Sequence, residues 1–444
     1  MTGPRGQGSA ERSRGPLWVW PVVSGLVAAV AGLLLGQVEP RGGFLAALWP
    51  SDTSAAGSLL QTVATGAVTI ATLTMSLTVV ALQLASQQFS PRLLRDFARD
   101  RVAKQVLSIF TAAFAFSVAG LRGVNSTQPV PTLVCLGAAL LAFAAVAALL
   151  AFITHITTLL RVDTMMKRLH DDADRAIDDF YVAYDEPLRT PDELHLDTSR
   201  GTVVPATASG FVRVLNTPSA IRAAGEHDAV VRIEVRPGDH VTRGAPLAMV
   251  WTRSGGSVAE DLRDRVREAV VLSYERTIDQ DAAFGLRQLE DIAVKAMSPA
   301  INDPTTADAA VGHMADLLVR LTGRHLGATL HGDEDGVGRV VVPDRDLPYY
   351  LDLACGQLRR FGAAEPTVLI SLLRMLRDVA VACRDDRQRA AVARAADLVC
   401  AQLSPQANAV DAQAVKDLRD RVAAALEGRT EDAFADRAGE TRSM

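Results

Sequence analysis

Four long apolar segments occupy the first 160 residues, and a more polar sequence with helical and strand-like periodicity follows them. The segments cover residues 17–38, 58–85, 104–121 and 131–160. A helix needs about 20 mostly apolar residues to cross a bilayer, and each segment approaches or exceeds that length. The pattern predicts a mainly α membrane protein with a four-helix transmembrane domain over 17–160, after an N-terminal tail at 1–16.

Hydroxyl groups form a row along the second segment, which reads TVATGAVTIATLTMSLTVVALQ at 62–83. At about 100° per residue, five of them fall within a narrow arc and one amide continues it. These polar positions are Thr62, Thr65, Thr69, Thr72, Ser76 and Gln83. Two interpretations stay open. The row packs against a neighbouring helix, as small and hydroxylated residues do in membranes, or it lines a water-filled path.

The predicted spans carry almost no charge, which limits the kinds of transport that they can support. No ionisable residue lies between Thr53 and Pro91. Beyond Lys104 at the first position of the third segment, His155 near the end of the fourth segment is the exception among the other spans. Coupled pumps usually need carboxylates within the membrane, so the sequence favours passive flow. His155 is a candidate switch, or it serves a neighbouring hydrogen bond. Four helices hardly enclose a pore, so a channel implies a homo-oligomer.

Lysine and arginine are unevenly distributed among the loops. They concentrate in the N-terminal tail, in the second loop and after the fourth segment, whereas the other loops carry only Arg41 and Arg122. The positive-inside rule then predicts that both termini are cytoplasmic. Membrane lipid is an expected partner and inorganic ions are expected solutes. A net charge of −5 gives no reason to expect nucleic acid.

The part after the spans begins with a predicted helical extension and linker at 161–200. Residues 201–252 then alternate, with Val231, Ile233 and Val235 on one face, and turns are expected at Gly238 and Gly244. This segment resembles the barrel-sandwich fold of biotinyl and lipoyl domains. No lysine lies between Asp197 and Val266, so the resemblance implies architecture rather than a cofactor carrier.

Residues 253–427 predict a helical domain, with a disordered tail at 428–444. Helices are expected at 257–278, 281–297, 304–322, 346–360, 366–384, 387–403 and 410–427, with a strand near 339–343. Asp303 before Pro304 fits a helix N-cap, and Asn302 fits the turn before it. The alternatives are a ligand site at this helix start, or an acidic ring of Asp279, Asp281 and Asp291 that attracts cations in an oligomer.

No catalytic constellation is present in the sequence. The nucleophile elbow, the Walker loop, the HExxH zinc motif and the dinucleotide-binding glycine pattern are all missing. The four cysteines lack CxxC spacing, which favours reduced, buried thiols. We therefore expect no enzyme activity, no cofactor and no metal.

Several motifs together resemble one family. They are TMSLTVVALQLASQQFSPRLLRDFARDR at 74–101, FITHITTLLRVDTMMKRL at 152–169, GFVRVLN with RPGDHVTRGAPL, and FGLRQLEDIAVKAMSPAINDPTTA at 284–307. Together they are similar to the bacterial membrane proteins of domain of unknown function 2254. The resemblance implies a multi-pass protein of the bacterial inner membrane with a large cytoplasmic part, and it implies no particular activity.

Two functional hypotheses follow. The first is a homo-oligomeric passive ion channel whose second helix lines the path and whose cytoplasmic part forms a vestibule or gate. The second is a non-conducting, membrane-anchored sensor or scaffold whose cytoplasmic part binds a ligand or partner.

Overall fold

Apolar helices make up the N-terminal part of the computed structural model, which describes residues 18–37, 52–88, 101–124, 132–159, 161–194 and 201–435. They are α1 (Val19–Leu35), α2 (Thr53–Gln88), α3 (Arg101–Leu121) and α4 (Thr132–Leu159). They belong to a unit that ends at Thr164, and a second unit begins at Met165.

Three of these helices are long and apolar enough to cross a membrane, rather than the four that the sequence predicts. They are α2 over Thr53–Gln83, α3 and α4. The predicted first span forms α1, an apolar helix of 17 residues. At 1.5 Å per residue it extends about 25 Å, which is short of a hydrocarbon core of about 30 Å.

Small residues let these helices approach closely. A Cβ atom added at Gly25 would lie 2.9 Å from a methyl carbon of Thr111, and one at Gly32 would lie 2.7 Å from the Phe116 carbonyl oxygen. Ser24 also donates a hydrogen bond from α1 to the Ser108 carbonyl of α3 at 3.1 Å. This is the packing typical of membrane helices, where close backbone approach replaces the hydrophobic driving force.

The C-terminal unit contains two open β-sheets. The strands are β1 (Thr202–Pro205), β2 (Gly210–Leu215), β3 (Ala229–Ile233), β4 (His240–Val241), β5 (Pro246–Thr252), β6 (Val270–Ser273), β7 (Thr329–Gly332) and β8 (Gly338–Val342). One sheet has the order β1-β5-β3-β8-β7 and the other β4-β2-β6. A helix, α6 (Thr217–Glu226), follows β2, and α5 (Val162–Phe180) precedes the sheets.

The predicted barrel-sandwich unit is not confirmed, since neither sheet closes within the described residues. Its strands and turns do form: Gly238 and Gly244 have φ values of +87° and +88°, as tight turns require. The difference lies in the pairing. Strand β3 pairs in parallel with β8, about one hundred residues later, and β2 pairs with β6. A pattern confined to 201–252 does not reveal these partners.

Helices complete the C-terminal unit. They are α7 (Glu260–Ala269), α8 (Ala282–Ala296), α9 (Pro304–Thr322), α10 (Leu347–Cys355), α11 (Leu358–Phe361), α12 (Pro366–Ala382), α13 (Asp386–Cys400), α14 (Ala409–Leu426) and α15 (Thr430–Ala433). The predicted helix at 257–278 is wrong after Ala269, where β6 begins. The predicted helix at 346–360 divides into α10 and α11. A short helix, α15, lies in the predicted tail, of which 436–444 is outside the described residues.

The described part of the predicted linker before the sheets has defined structure. A turn of 3₁₀ helix covers Pro191–Leu194, and isolated bridges join Ala183 to Arg324 and Arg189 to Leu330. Residues 195–200 lie outside the described part. The four cysteines are free thiols, as the sequence predicts; Cys135 and Cys355 are also buried as expected, whereas Cys383 and Cys400 are half-buried.

Candidate functional site

The polar row of α2 lies on the exposed side of this helix. All six of its members are exposed in the N-terminal unit, whereas Leu60, Val63, Ala67 and Ala81 are buried on the opposite side. Thr74, which the periodicity places off the row, is also buried. Packing against the other described helices of the N-terminal unit therefore does not account for the row.

The hydroxyl groups of the row bond to their own helix. Thr62 donates to the Ser58 carbonyl at 2.7 Å, Thr69 to the Thr65 carbonyl at 2.9 Å and Thr72 to the Val68 carbonyl at 2.9 Å. Each of these bonds uses the hydroxyl hydrogen and leaves oxygen lone pairs available. The exposed side of α2 therefore presents a line of hydrogen-bond acceptors.

His155 lies in the last two turns of α4 and is half-buried there. It has an interaction within the protein. Its placement near the end of the span agrees with the sequence, and its switch role stays a prediction.

The three aspartates of the predicted acidic ring each lie beside an arginine. Asp279 accepts from Arg213 at 2.8 Å, and the Asp291 carboxylate lies 3.4 Å from Arg287 Nε. Asp281 is 1% exposed and caps α8 by accepting from the Phe284 backbone N–H. A buried cap is unsuited to an exposed ring, so the structure contradicts the ring for Asp281.

Asp281 is the centre of a buried ionic junction. Arg276 donates to it at 2.6 Å, and Arg345 donates at 3.4 Å to its other oxygen. Arg345 also donates to the Pro237 carbonyl at 2.9 Å, and this carbonyl belongs to the turn after β3. The junction therefore ties the start of α8 to the turn at Gly238.

The turn before α9 has the geometry that the sequence predicts. Asp303 is the N-cap, accepting from the Thr306 N–H at 3.1 Å and from its hydroxyl at 2.6 Å, with Pro304 in the first turn. These hydrogen bonds hold the pKa of Asp303 below its usual value. Asn302 has a φ of +48°, which asparagine tolerates better than most residues. A ligand at this turn stays a prediction.

A cavity of about 570 Å³ opens between α8, α10 and α11. It is lined by Arg287, Glu290, Tyr349, Asp352, Leu353, Gly356, Gln357, Arg360 and Phe361. The Glu290 side chain is 1% exposed, and Arg287 Nη1 lies 3.2 Å from its Oε2. Burial raises the pKa of Glu290 to about 7, because the nearby Arg287 charge only partly offsets desolvation.

Sequence reasoning missed this cavity, although one signal was present. Leu286, Leu289 and Ala293 form the buried stripe of α8, and Glu290 stands within it. A carboxylate at a core position of a helix is unusual unless it is paired. The residues that complete the cavity lie about sixty positions later, and the local pattern does not connect them with α8.

Comparison with known proteins gives a family match. The model of the family described as "Predicted membrane protein (DUF2254)" matches residues 14–378. An uncharacterized protein of Mycobacterium bovis, Mb1321c, is 32% identical over 387 residues, which cover 85% of this chain and 74% of that protein. The uncharacterized protein Rv1290c of Mycobacterium tuberculosis matches with the same identity and coverage. No solved structure matches the chain.

Proposed function

The chain belongs to the DUF2254 family of predicted membrane proteins, and from this premise we propose that it assembles as a homo-oligomeric passive ion channel. The exposed polar row of α2 carries the proposal. If several copies of the chain assemble around one axis, the exposed oxygens of α2 face a shared, water-filled path instead of lipid.

The chemistry of the row supports the flow of cations. Three of its hydroxyl groups donate their hydrogens to backbone carbonyls of α2. The oxygens of these three hydroxyl groups can then act only as hydrogen-bond acceptors towards other groups. Acceptor oxygens replace the hydration shell of a cation. The lack of carboxylates in α2 supports passive rather than proton-coupled flow.

The proposed topology completes the picture. The protein lies in the bacterial inner membrane with both termini in the cytoplasm, which requires the short helix α1 to cross as a fourth span beside α2, α3 and α4, with local thinning of the bilayer. The C-terminal unit forms a vestibule or gate without catalytic activity. The arginine- and lysine-rich loops support this orientation.

Ion flux tests the proposal directly. Purified full-length protein in liposomes should pass K⁺ more readily than Cl⁻, and Thr69→Leu or Thr72→Leu should lower the flux because an apolar side chain replaces a water-facing oxygen. Met75→Leu is the matched control, since Met75 is exposed on α2 outside the row. Absence of flux under every ionic condition, or equal flux in all variants, contradicts the channel.

A non-conducting sensor is the second candidate, and the cavity beside Glu290 favours it. A membrane-anchored sensor needs a binding site in the C-terminal unit and no water path in its spans. A protein that passes no ions while its cavity takes up a ligand fits this candidate.

A further inference from the structure

Two histidines lie side by side between α5 and α9. The ring centroids of His170 and His313 are 5.3 Å apart, and the ring planes are tilted by 55°. His170 Nε2 lies 2.7 Å from Asp316 Oδ2 of α9, and its Nδ1 lies 3.5 Å from Asp171 Oδ1. The pair is therefore part of the contact between the two helices, and histidine is the side chain whose charge changes near neutral pH.

The two carboxylates beside the pair are already engaged. Lys167 lies 3.1 Å from Asp171, which also faces His170, and Asp316 contacts the other nitrogen of the His170 ring. A hydrogen bond from His313 to either carboxylate is absent from the described part of the chain. A proton on His313 would therefore add a positive charge without a hydrogen-bonded carboxylate to receive it.

The balance of charge around the pair allows one proton and not two. The charged groups that act on His313 are His170, Lys167 and Asp171 of α5 and Asp316 of α9. When one histidine is protonated, two positive groups face two carboxylates. A second proton leaves an excess of positive charge, and it places one imidazolium 5.3 Å from the other.

The affinity of His313 for a proton fits this balance. Burial holds the pKa of His313 below its usual value of 6.5, and the positive charge of a protonated His170 lowers it further, while Asp171 and Asp316 oppose this in part. The docked state of α5 thus binds the second proton less tightly than a released state does. A group with a lowered pKa contributes stability above its usual pKa and loses it below, so the contact between α5 and α9 should weaken as the pH falls below about 6.5.

The second half of α5 (173–180) is held by groups of a different kind. Arg320 of α9 contacts Asp174 and lies 2.6 Å from Asp178. Tyr181, just after α5, and Tyr350 of α10 share a buried hydrogen bond of 2.6 Å. Pairs of arginine with carboxylates do not titrate in the range of histidine, so this half lacks the dependence on pH that the histidine pair gives the first half.

Ala173 separates the two halves of α5 where this helix approaches α8 closely. A Cβ atom added at Gly285 of α8 would lie 2.5 Å from the Ala173 Cβ. At its other end, α5 begins at Val162 soon after α4 ends at Leu159. A change in the first half of α5 is therefore passed along the chain to a membrane span.

We propose that His170 and His313 form a proton-sensitive contact that releases the first half of α5 within the C-terminal unit (165–172) from α9 when the pH falls below neutral. The second half stays docked. The proposal goes beyond ion conduction and does not depend on it, because it concerns a contact inside the C-terminal unit.

Amide hydrogen exchange of the full-length protein in detergent, followed by mass spectrometry at pH 7.5 and pH 5.5, tests the histidine contact. The rates are corrected for the intrinsic effect of pH on exchange. A short helix that loses its packing frays, so the amides of 165–172 should lose protection at pH 5.5 by at least about threefold, whereas those of 173–180 should change less. Unchanged protection of 165–172, or an equal loss in both halves, overturns the proposal.

Variants assign the effect to the histidine pair. In His313→Gln the second proton has no acceptor, so the loss of protection at pH 5.5 should disappear. His170→Gln removes the first imidazolium and should reduce the loss, which provides a second test if one variant fails to fold. His227→Gln is the matched control and should keep the full loss, because His227 pairs with Asp261 of α7 instead.

The remaining histidines set the background of this comparison. Burial also lowers the pKa of His331, and this residue is present in every variant, so its contribution is the same in all of them. A thermal melt of each variant at pH 7.5 confirms folding. A loss of protection in His313→Gln equal to that of the parent contradicts the proposed contact.

Discussion

Asp281 shows that the surroundings of a residue determine how much its charge contributes to stability. It lies two positions after Asp279, yet Asp281 is 1% exposed between two arginines whereas the Asp279 side chain is 42% exposed. Removing one partner of a buried ion pair leaves an uncompensated charge, whereas an exposed pair contributes little.

The first prediction compares these two aspartates. Asp281→Asn should lower the free energy of unfolding by about 3–5 kcal/mol, because the buried Arg345 loses its buried counter-charge and keeps only the partly exposed Asp239, while the N-cap is kept. Asp279→Asn should change it by no more than about 1 kcal/mol. Chemical denaturation of the full-length variants in detergent measures both. Equal losses would contradict the buried junction.

Glu290 gives a prediction about stability and pH. Its folded-state pKa of about 7 lies above the usual glutamate value of 4.5, so the folded protein holds the proton more tightly than the unfolded chain. Stability should therefore fall as pH rises from about 4.5 to about 7, by about 3 kcal/mol. In Glu290→Gln this loss disappears, which makes the variant more stable than the parent at pH 8.

Unfolding of both proteins between pH 4 and pH 8 measures the difference. Burial also raises the pKa of Asp344, to about 6, so Asp344 too lowers stability as the pH rises. This loss of stability occurs in both proteins and cancels when they are compared. A difference between the parent and Glu290→Gln that does not change with pH would contradict a raised pKa at Glu290.

At the scale of elements, periodicity predicted the helices and missed the pairing of the strands. The helix expected at 304–322 is α9 to the residue, because proline and aspartate mark its start. The sequence predicts a helix for the stretch VVLS at 270–273. This stretch instead forms β6, because it pairs antiparallel with the edge of β2. Strand pairing depends on residues that are distant in the sequence. A short stretch rich in β-branched residues therefore becomes a strand where a neighbouring strand is available, whatever its local pattern predicts.

The turn after β3 carries the third prediction. A Cβ atom at Gly238 would lie 1.9 Å from Asp281 Oδ2, whereas one at Gly244 meets nothing within 4 Å, although both glycines have positive φ. Gly244→Ala should cost about 1 kcal/mol of unfolding free energy through backbone strain alone. Gly238→Ala should cost at least about 3 kcal/mol more, because the carboxylate must leave Arg276. The comparison uses the same denaturation assay, and similar costs for the two variants would argue against the contact.

At the scale of the whole molecule, the division into an apolar and a polar part could be predicted, and so could the capped turn at Asp303. The cavity could not, because α8 contributes Arg287 and Glu290 while the other lining residues come from 349–361. The sequence located the polar row on α2, and the structure adds that the row lies opposite the buried side. In the proposed channel other copies of the chain cover that side, and a pattern within one chain does not encode their contacts.

The central claim is that water reaches the polar row of α2 in the assembled protein. The test starts from a variant in which all four native cysteines are replaced. One cysteine at a time is then introduced at Thr65, Thr69, Thr72 or Ser76, and each variant is labelled in membranes with a charged, membrane-impermeant thiol reagent. The account predicts that these cysteines react at rates well above that of a cysteine at Met75, which is exposed on the same helix outside the row. Rates as slow as that of the Met75 cysteine at all four positions would contradict it.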